Sequence, residues 1–351
     1  MEPDKINVAP TPTNRLSEGA CNALDVAKLL FALIVVGIHQ QPCHGEAYVY
    51  TWHWFGRLAV PFFFVTSAFL FFQRQPGPAQ LRKYVVRMLK LYVFWFVVML
   101  PYTIHLRWDA DMSVVGNVLW LVRRFLLDST FAGSWFLSAL LIAIPLVYWS
   151  ERRFGMRFTV LAAVGIELFL QAYGWRFAMP DAVAEALTSF DEGFPSVHCS
   201  WMAAVIYVVA GNFIAKHWES VERISARRWW CAAAVSTLIL AGWIICMSEH
   251  LFIDDRTLLR VPVVVLIFIS VVRSNLQVRL PYRSLRKAST IFYISHFLFI
   301  YLLTELQINC LEHMIPDGWR YVVVLLTCSV LSWVLITLQR RRGFKWLQYA
   351  W

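Results

Sequence analysis

The sequence predicts an all-α fold, a polytopic membrane bundle of about ten transmembrane helices with both termini on the cytoplasmic side. Three observations carry that expectation. Hydrophobic residues make up 59% of the chain, charged residues only 15%, and the mean hydropathy is +0.56, where an ordinary soluble domain is about 25% charged. Ten stretches approach the roughly 20 mainly apolar residues that a span requires. Lys and Arg are also unevenly spread: 23 fall in the segments that would face inward and eight in those that would face outward. That asymmetry marks the cytoplasmic side. It also accounts for the net charge of +10 without a nucleic-acid partner.

Residues 1–20 are polar and lack an apolar core, so they read as a short disordered cytoplasmic tail and not a cleavable signal. The spans are expected near 22–40, 56–73, 88–106, 134–150, 157–173, 196–214, 229–248, 256–273, 288–306 and 319–338. Residues 114–127 are amphipathic with Arg123 and Arg124 in the middle, a pattern for lying on the membrane surface. Residues 21–340 form one membrane domain, and 341–351 a basic cytoplasmic tail. The seven Cys are scattered without a CxxC pair, which argues against a metal site or a disulfide framework.

Ionisable residues in hydrocarbon are costly and therefore functional candidates. The first span, Leu24 to His39, carries Asp25 and Lys28 at its start and His39 at its end. Lys28 and His39 are eleven residues apart, about three turns, so they share one face roughly 16 Å apart. The second span carries Ser67 and Ala68 in a Phe-rich run; small residues there serve helix packing or leave Ser67 free for chemistry. Arg87 and Lys90, beside Arg82 and Lys83, read by themselves as a positive-inside cluster with snorkelling side chains. His296 lies eight residues into the ninth span, ~12 Å deep at the helical rise. Two intramembrane His with Lys28 point to a polar cavity inside the bundle. Glu167 and Glu305 are further buried-acid candidates.

Five of these stretches, in order over residues 22–305, resemble the acyltransferase-3 family of bacterial membrane acyltransferases. The Leu-Asp-x-x-Arg pattern followed by His is Leu24, Asp25, Lys28 and His39. The Pro-Phe-Phe-Phe-Val-x-Ser-Gly-Phe helix is Pro61 to Phe69, with Ala68 in place of Gly. Arg-x-x-Arg-Ile-Tyr is Arg87, Lys90 and Tyr92; Trp-Phe-Leu is Trp135 to Leu137; and Leu-x-x-Ser-x-x-x-Tyr-x-x-His includes Leu285, Ser289, Tyr293 and His296. The departures are Lys at 28 and 90 and Ala at 68. Lys keeps the charge but loses the bidentate fork that suits phosphate.

The resemblance implies transfer of an acyl group, acetyl by default, from cytoplasmic acyl-CoA to a hydroxyl of an envelope carbohydrate or glycolipid, in the bacterial inner membrane. Lys28, Arg87 and Lys90 would hold the CoA phosphates, and its flexible arm would reach His39. An imidazole, with a reference pKa near 6.5, is suited to act as general base, on the acceptor directly or through an acyl-His intermediate. Asp25 would pair with Lys28, Ser67 would donate a hydrogen bond near the reacting carbonyl, and His296 would orient the donor or line its passage. Three other readings compete. One is a transporter of a polar solute or lipid-linked precursor. A second is a lipid-phosphate phosphatase, for which Pro195-Ser196-Val-His198 and His250 with Asp254 are partial signatures; Ser196 as a helix cap is the plainer reading of the first. The third is a member without turnover.

Overall fold

Ser17 opens the first helix by accepting a hydrogen bond from the Ala20 amide at 3.2 Å, which satisfies one of the free N–H groups of a helix start. Helix α1 (Glu18–Gln40) then runs to a left-handed Gln41. The computed structural model describes residues 16–127, 130–131, 133–176, 179–189, 197–247, 258–310 and 315–351, and no strand occurs among them. A run of short helical turns over 45–56 leads into α2 (Ala59–Phe72). Pro78, which needs no amide partner at a first helical position, starts α3 (Pro78–Arg107). The remaining helices are α4 (Val114–Leu127), α5 (Trp135–Gly174), α6 (Asp181–Thr188), α7 (Trp201–Lys216), α8 (Trp218–Arg223), α9 (Ala226–Met247), α10 (Arg260–Val272), α11 (Tyr282–Cys310) and α12 (Asp317–Leu338).

Among the described residues, seven helices are long and apolar enough to cross a membrane, where the sequence predicts ten spans. The difference has two physical sources. Two of the expected spans join as α5, which breaks at Gly155 (φ 83°, ψ 167°), a conformation open to glycine. Ser150 Oγ lies 2.9 Å from Thr159 Oγ1 across that break, whereas nine residues of straight helix would separate them by about 13 Å. Two further apolar helices, α7 and α10, have 16 and 13 residues, and each follows a segment outside the described residues. Leu161, Leu238, Ile308 and Trp333 are each about 70% exposed. A surface this apolar belongs in hydrocarbon, and the chain is a multi-pass membrane protein.

α7 packs against α2 and α5, α1 against α11, α11 against α12, and α9 against α10. The core is rich in Phe: Phe62 of α2 meets Phe31 of α1 and Phe268 of α10 at ring separations of 4.4 and 6.1 Å. Ala68 is fully buried at the closest approach of α2 to α7. A Cβ on Gly211 would come within 2.6 Å of the Val65 carbonyl and 2.8 Å of Ala68 Cβ. The glycine that the family pattern expects at 68 thus has a counterpart across the interface.

Three expectations are corrected or placed outside view. The described N-cap of α7 is Ser200, whose hydroxyl accepts from Met202 N–H at 3.3 Å and donates to the Val197 carbonyl at 2.7 Å; Pro195, Ser196, His250 and Asp254 lie outside the described residues. Glu305 is half-exposed and sits 3.8 Å from His105, so it is not a buried acid without a partner. Residues of the expected basic tail form a 3-10 helix, Arg342–Ala350, packed on α3. Trp95 Nε1 donates to the Ala350 carbonyl at 3.0 Å.

Candidate active site

Helices α1 and α11 run parallel, and two contacts fix their register. At one end Asp25 meets Arg286; at the other the ring of His39 stacks on that of His296, with centroids 5.4 Å apart and planes at 29°. On each helix a cation precedes the His by almost the same distance: eleven residues from Lys28 to His39 and ten from Arg286 to His296. At the helical rise both separations are roughly 15 Å, so a charged end and an imidazole end are built twice, side by side.

At the charged end Asp25 is 2% exposed and accepts from two cations. Lys28 Nζ, one turn along the same helix, is 3.0 Å from Oδ1. Arg286 approaches side-on, with Nε 2.9 Å from Oδ1 and Nη2 2.7 Å from Oδ2. The Asp25–Lys28 pair follows from their spacing. Arg286 is the residue that sequence reasoning missed, although the repeated cation-to-His spacing was there to read.

At the other end His296 is fully buried. Its Nδ1 faces the Phe292 carbonyl at 3.1 Å, while Nε2 has no hydrogen-bond partner among the described residues. His39 is exposed at its side chain. Phe297 closes on both rings, 4.5 Å from His39 and 4.3 Å from His296. Gly133, in a left-handed turn (φ 84°), lies against Phe297, and a Cβ there would come within 3.1 Å of that ring.

Below this box, Tyr293 contacts Phe63 of α2 at 5.5 Å and Phe136 of α5 at 5.1 Å. Four of the five sequence stretches therefore converge. Ser67 stands one turn along α2 from Phe63, half-buried, and makes no hydrogen bond among the described residues. The fifth stretch stands apart. Arg87 and Lys90 are exposed on α3, and Lys90 Nζ lies 4.9 Å above the ring of Tyr349 in the C-terminal 3-10 helix. No hydrogen bond or ion pair joins either residue to the Asp25 cluster among the described residues. No group of three or more His, Cys, Asp or Glu suited to a metal ion occurs among the described residues.

The arrangement sets two cations on one carboxylate at one end of a pair of helices and an aromatic-walled, accessible imidazole at the other. The sequence model of the acyltransferase-3 family, described as an acyltransferase domain, matches residues 22–338. A curated protein of Enterococcus faecalis, an amino-acid racemase, is 28% identical over 149 residues. That match covers 40% of this chain and 21% of the relative, so the chain spans about a fifth of that protein's length. No solved structure matches significantly.

Proposed function

This chain belongs to the acyltransferase-3 family, and from that premise we propose that it moves an acyl group, acetyl by default, from cytoplasmic acyl-CoA to a hydroxyl of an envelope carbohydrate or glycolipid. The two halves of α5, together with α7 and α10, bring the crossings of the bacterial inner membrane to ten, with both chain ends on the cytoplasmic side. The basic segments between helices support that orientation. The Asp25 end then faces the cytoplasm, where acyl-CoA is found, and the His39 end lies toward the outer leaflet.

The observation that carries the reading is the exposed His39 ring resting on the buried His296 ring, about 15 Å along the same helix pair from a cation cluster. His39 is the general base. It takes the proton of the acceptor hydroxyl as that oxygen attacks the thioester carbonyl. The C–S bond then breaks, and the imidazolium returns the proton to the leaving thiolate. His296 fixes the plane of His39 by stacking and is a positioning residue. Ser67 donates to the carbonyl oxygen as charge builds on it. Lys28, Arg87 and Lys90 hold the donor phosphates. Asp25 holds Lys28 in place.

The test uses inverted membrane vesicles, which present the cytoplasmic face to the medium, and CoA carrying a labelled acetyl group. Label is expected to pass into a glycan or lipid fraction with the wild type and not with His39→Ala. Equal transfer by both would overturn the mechanism; transfer by neither, with solute uptake by both, would establish transport instead.

A further inference from the structure

We propose that the phosphorylated nucleotide end of the donor is received at Arg286 and Arg279, over a cavity between the start of α1 and the loop before α11. This deepens the acyl-CoA reading above and rests on it. Three observations converge. First, the Asp25 cluster is unbalanced: one carboxylate meets two cations, Lys28 and Arg286, leaving a formal charge of +1. Lys28 is largely buried, with its side chain 14% exposed, and shares its one carboxylate with Arg286, so the cluster's surplus positive charge is one that an anion would balance.

Second, the cluster has donors to spare. Asp25 uses Nε and Nη2 of Arg286. Nη1 makes no hydrogen bond among the described residues, and the side chain is 55% exposed. Lys28 gives one of its three protons to Asp25. The carboxylate thus presents a guanidinium edge and an ammonium in fixed positions, which suits a phosphate.

Third, there is room one turn away along both helices. A cavity of about 650 Å³ is lined by Glu18, Asn22, Arg279 and Tyr282, among others, within the size range of small-molecule sites. Asn22 is one turn before Asp25 on α1, and Tyr282 one turn before Arg286 on α11. The loop that forms its far wall is held to α1 by the backbone bond from Leu276 N–H to the Gly19 carbonyl at 3.2 Å and by Asn22 Nδ2 to the Leu276 carbonyl at 3.2 Å. Gly19 permits that approach, since a Cβ there would strike Asn275. Arg279 supplies a third cation, exposed at the cavity. Glu18 and the Tyr282 ring are suited to the exocyclic amine and the face of a base. From here the arm of the donor runs along α1 and α11 to the His pair.

The full chain in phosphatidylcholine nanodiscs, titrated calorimetrically with CoA, tests this. Arg286→Gln and Arg279→Gln are each expected to weaken CoA about tenfold, the loss of one charge-assisted contact, and to flatten the dependence of affinity on salt. Arg286→Lys should fall between Arg286→Gln and the wild type, and Arg227→Gln, an exposed cation on α9, should bind as the wild type does. Adenosine 3′,5′-bisphosphate should compete with CoA. If Arg286→Gln also lowers the melting temperature, Arg279→Gln decides, because its side chain is exposed. CoA bound normally by both variants would leave all the donor phosphates to Lys28, Arg87 and Lys90 and overturn the inference, while leaving the acyl-CoA reading intact. Exclusion of CoA by added phosphatidylglycerol would make this a lipid-headgroup site and overturn it likewise. A wild type that neither binds CoA nor transfers acetyl would fail the acyl-CoA reading itself.

Discussion

The two ends of the α1–α11 pair solve opposite problems with the same spacing. At the Asp25 end charge is concentrated: a buried carboxylate orders two cations, and a cavity opens one helical turn away at Asn22 and Tyr282. At the His39 end the contacts among the described residues are between rings: two imidazoles and Phe297 stack on one another. The first suits recognition of a highly charged group, because fixed cations act on it at close range. The second suits proton transfer, because His39 is accessible there and its contacts among the described residues are with rings and not with a carboxylate. On the proposed reading, binding and chemistry are separated by roughly 15 Å along the helix pair, and a mutation at one end should not imitate a mutation at the other.

The sharpest break in that comparison is at His39. His39→Ala should lower the maximal rate of acetyl transfer by about 10²–10⁴-fold, the usual worth of a positioned base, with the KM for acetyl-CoA little changed. A rise in KM of similar size would show that His39 binds the donor and that the division is false. His296→Ala should cost less, about tenfold in rate, since it removes a stacking contact of order 1 kcal/mol. His296→Phe keeps a ring in that place and should recover most of the loss.

The Asp25 end should fail differently. Asp25→Ala leaves Lys28 and Arg286 facing each other without the carboxylate, and breaking a buried pair of this kind costs about 3–5 kcal/mol. The expected result is a lower melting temperature in detergent, together with a higher KM for acetyl-CoA. In the milder Lys28→Arg the charge is kept, and its guanidinium competes with that of Arg286 for one carboxylate; KM should move by less than about tenfold while the rate holds. Raising the ionic strength should act on KM alone, as screening weakens charge–charge contacts at the exposed Arg286 and has little hold on a ring-on-ring contact such as His39 on His296.

Much of this was legible in the sequence, because membrane insertion enforces simple rules. Apolar runs gave the helices, and the intramembrane Lys28, His39 and His296 were conspicuous against them. The His39–His296 contact was not legible, because nothing local reveals that α1 and α11 are parallel neighbours; that is decided by tertiary packing. Arg286 escaped for a related reason. It sits in a basic segment with Arg283 and Lys287, where the positive-inside rule already explains every charge, and only the buried Asp25 on another helix singles it out. Gly155 was hidden too, since one left-handed glycine joins two expected spans into a continuous helical run. Lys90 shows the converse. Its position in the family pattern was readable, but its partner Tyr349 lies in a stretch whose charges suggest a free tail and whose aromatic residues in fact seat it on α3.

That seat supports the smallest effect expected. Lys90 lies over Tyr349, Phe94 meets Trp346 at 5.9 Å, and Lys287, the neighbour of Arg286, lies 4.3 Å over Trp351. Tyr349 of the C-terminal 3-10 helix and Trp351 just after it therefore meet one cation of α3 and one of α11. An exposed cation–π contact is worth about 0.5–1 kcal/mol, so Tyr349→Ala should lower the melting temperature only slightly. Its effect on the donor is more informative. A Lys90 released from the ring is freer to meet a phosphate, and the KM for acetyl-CoA should fall by about two- to fivefold with the rate unchanged. A rise in KM would mean that the segment builds the donor site and does not compete with it. Tyr349→Phe, which keeps the ring, should behave as the wild type in either case, so the comparison isolates the aromatic face from the rest of the side chain.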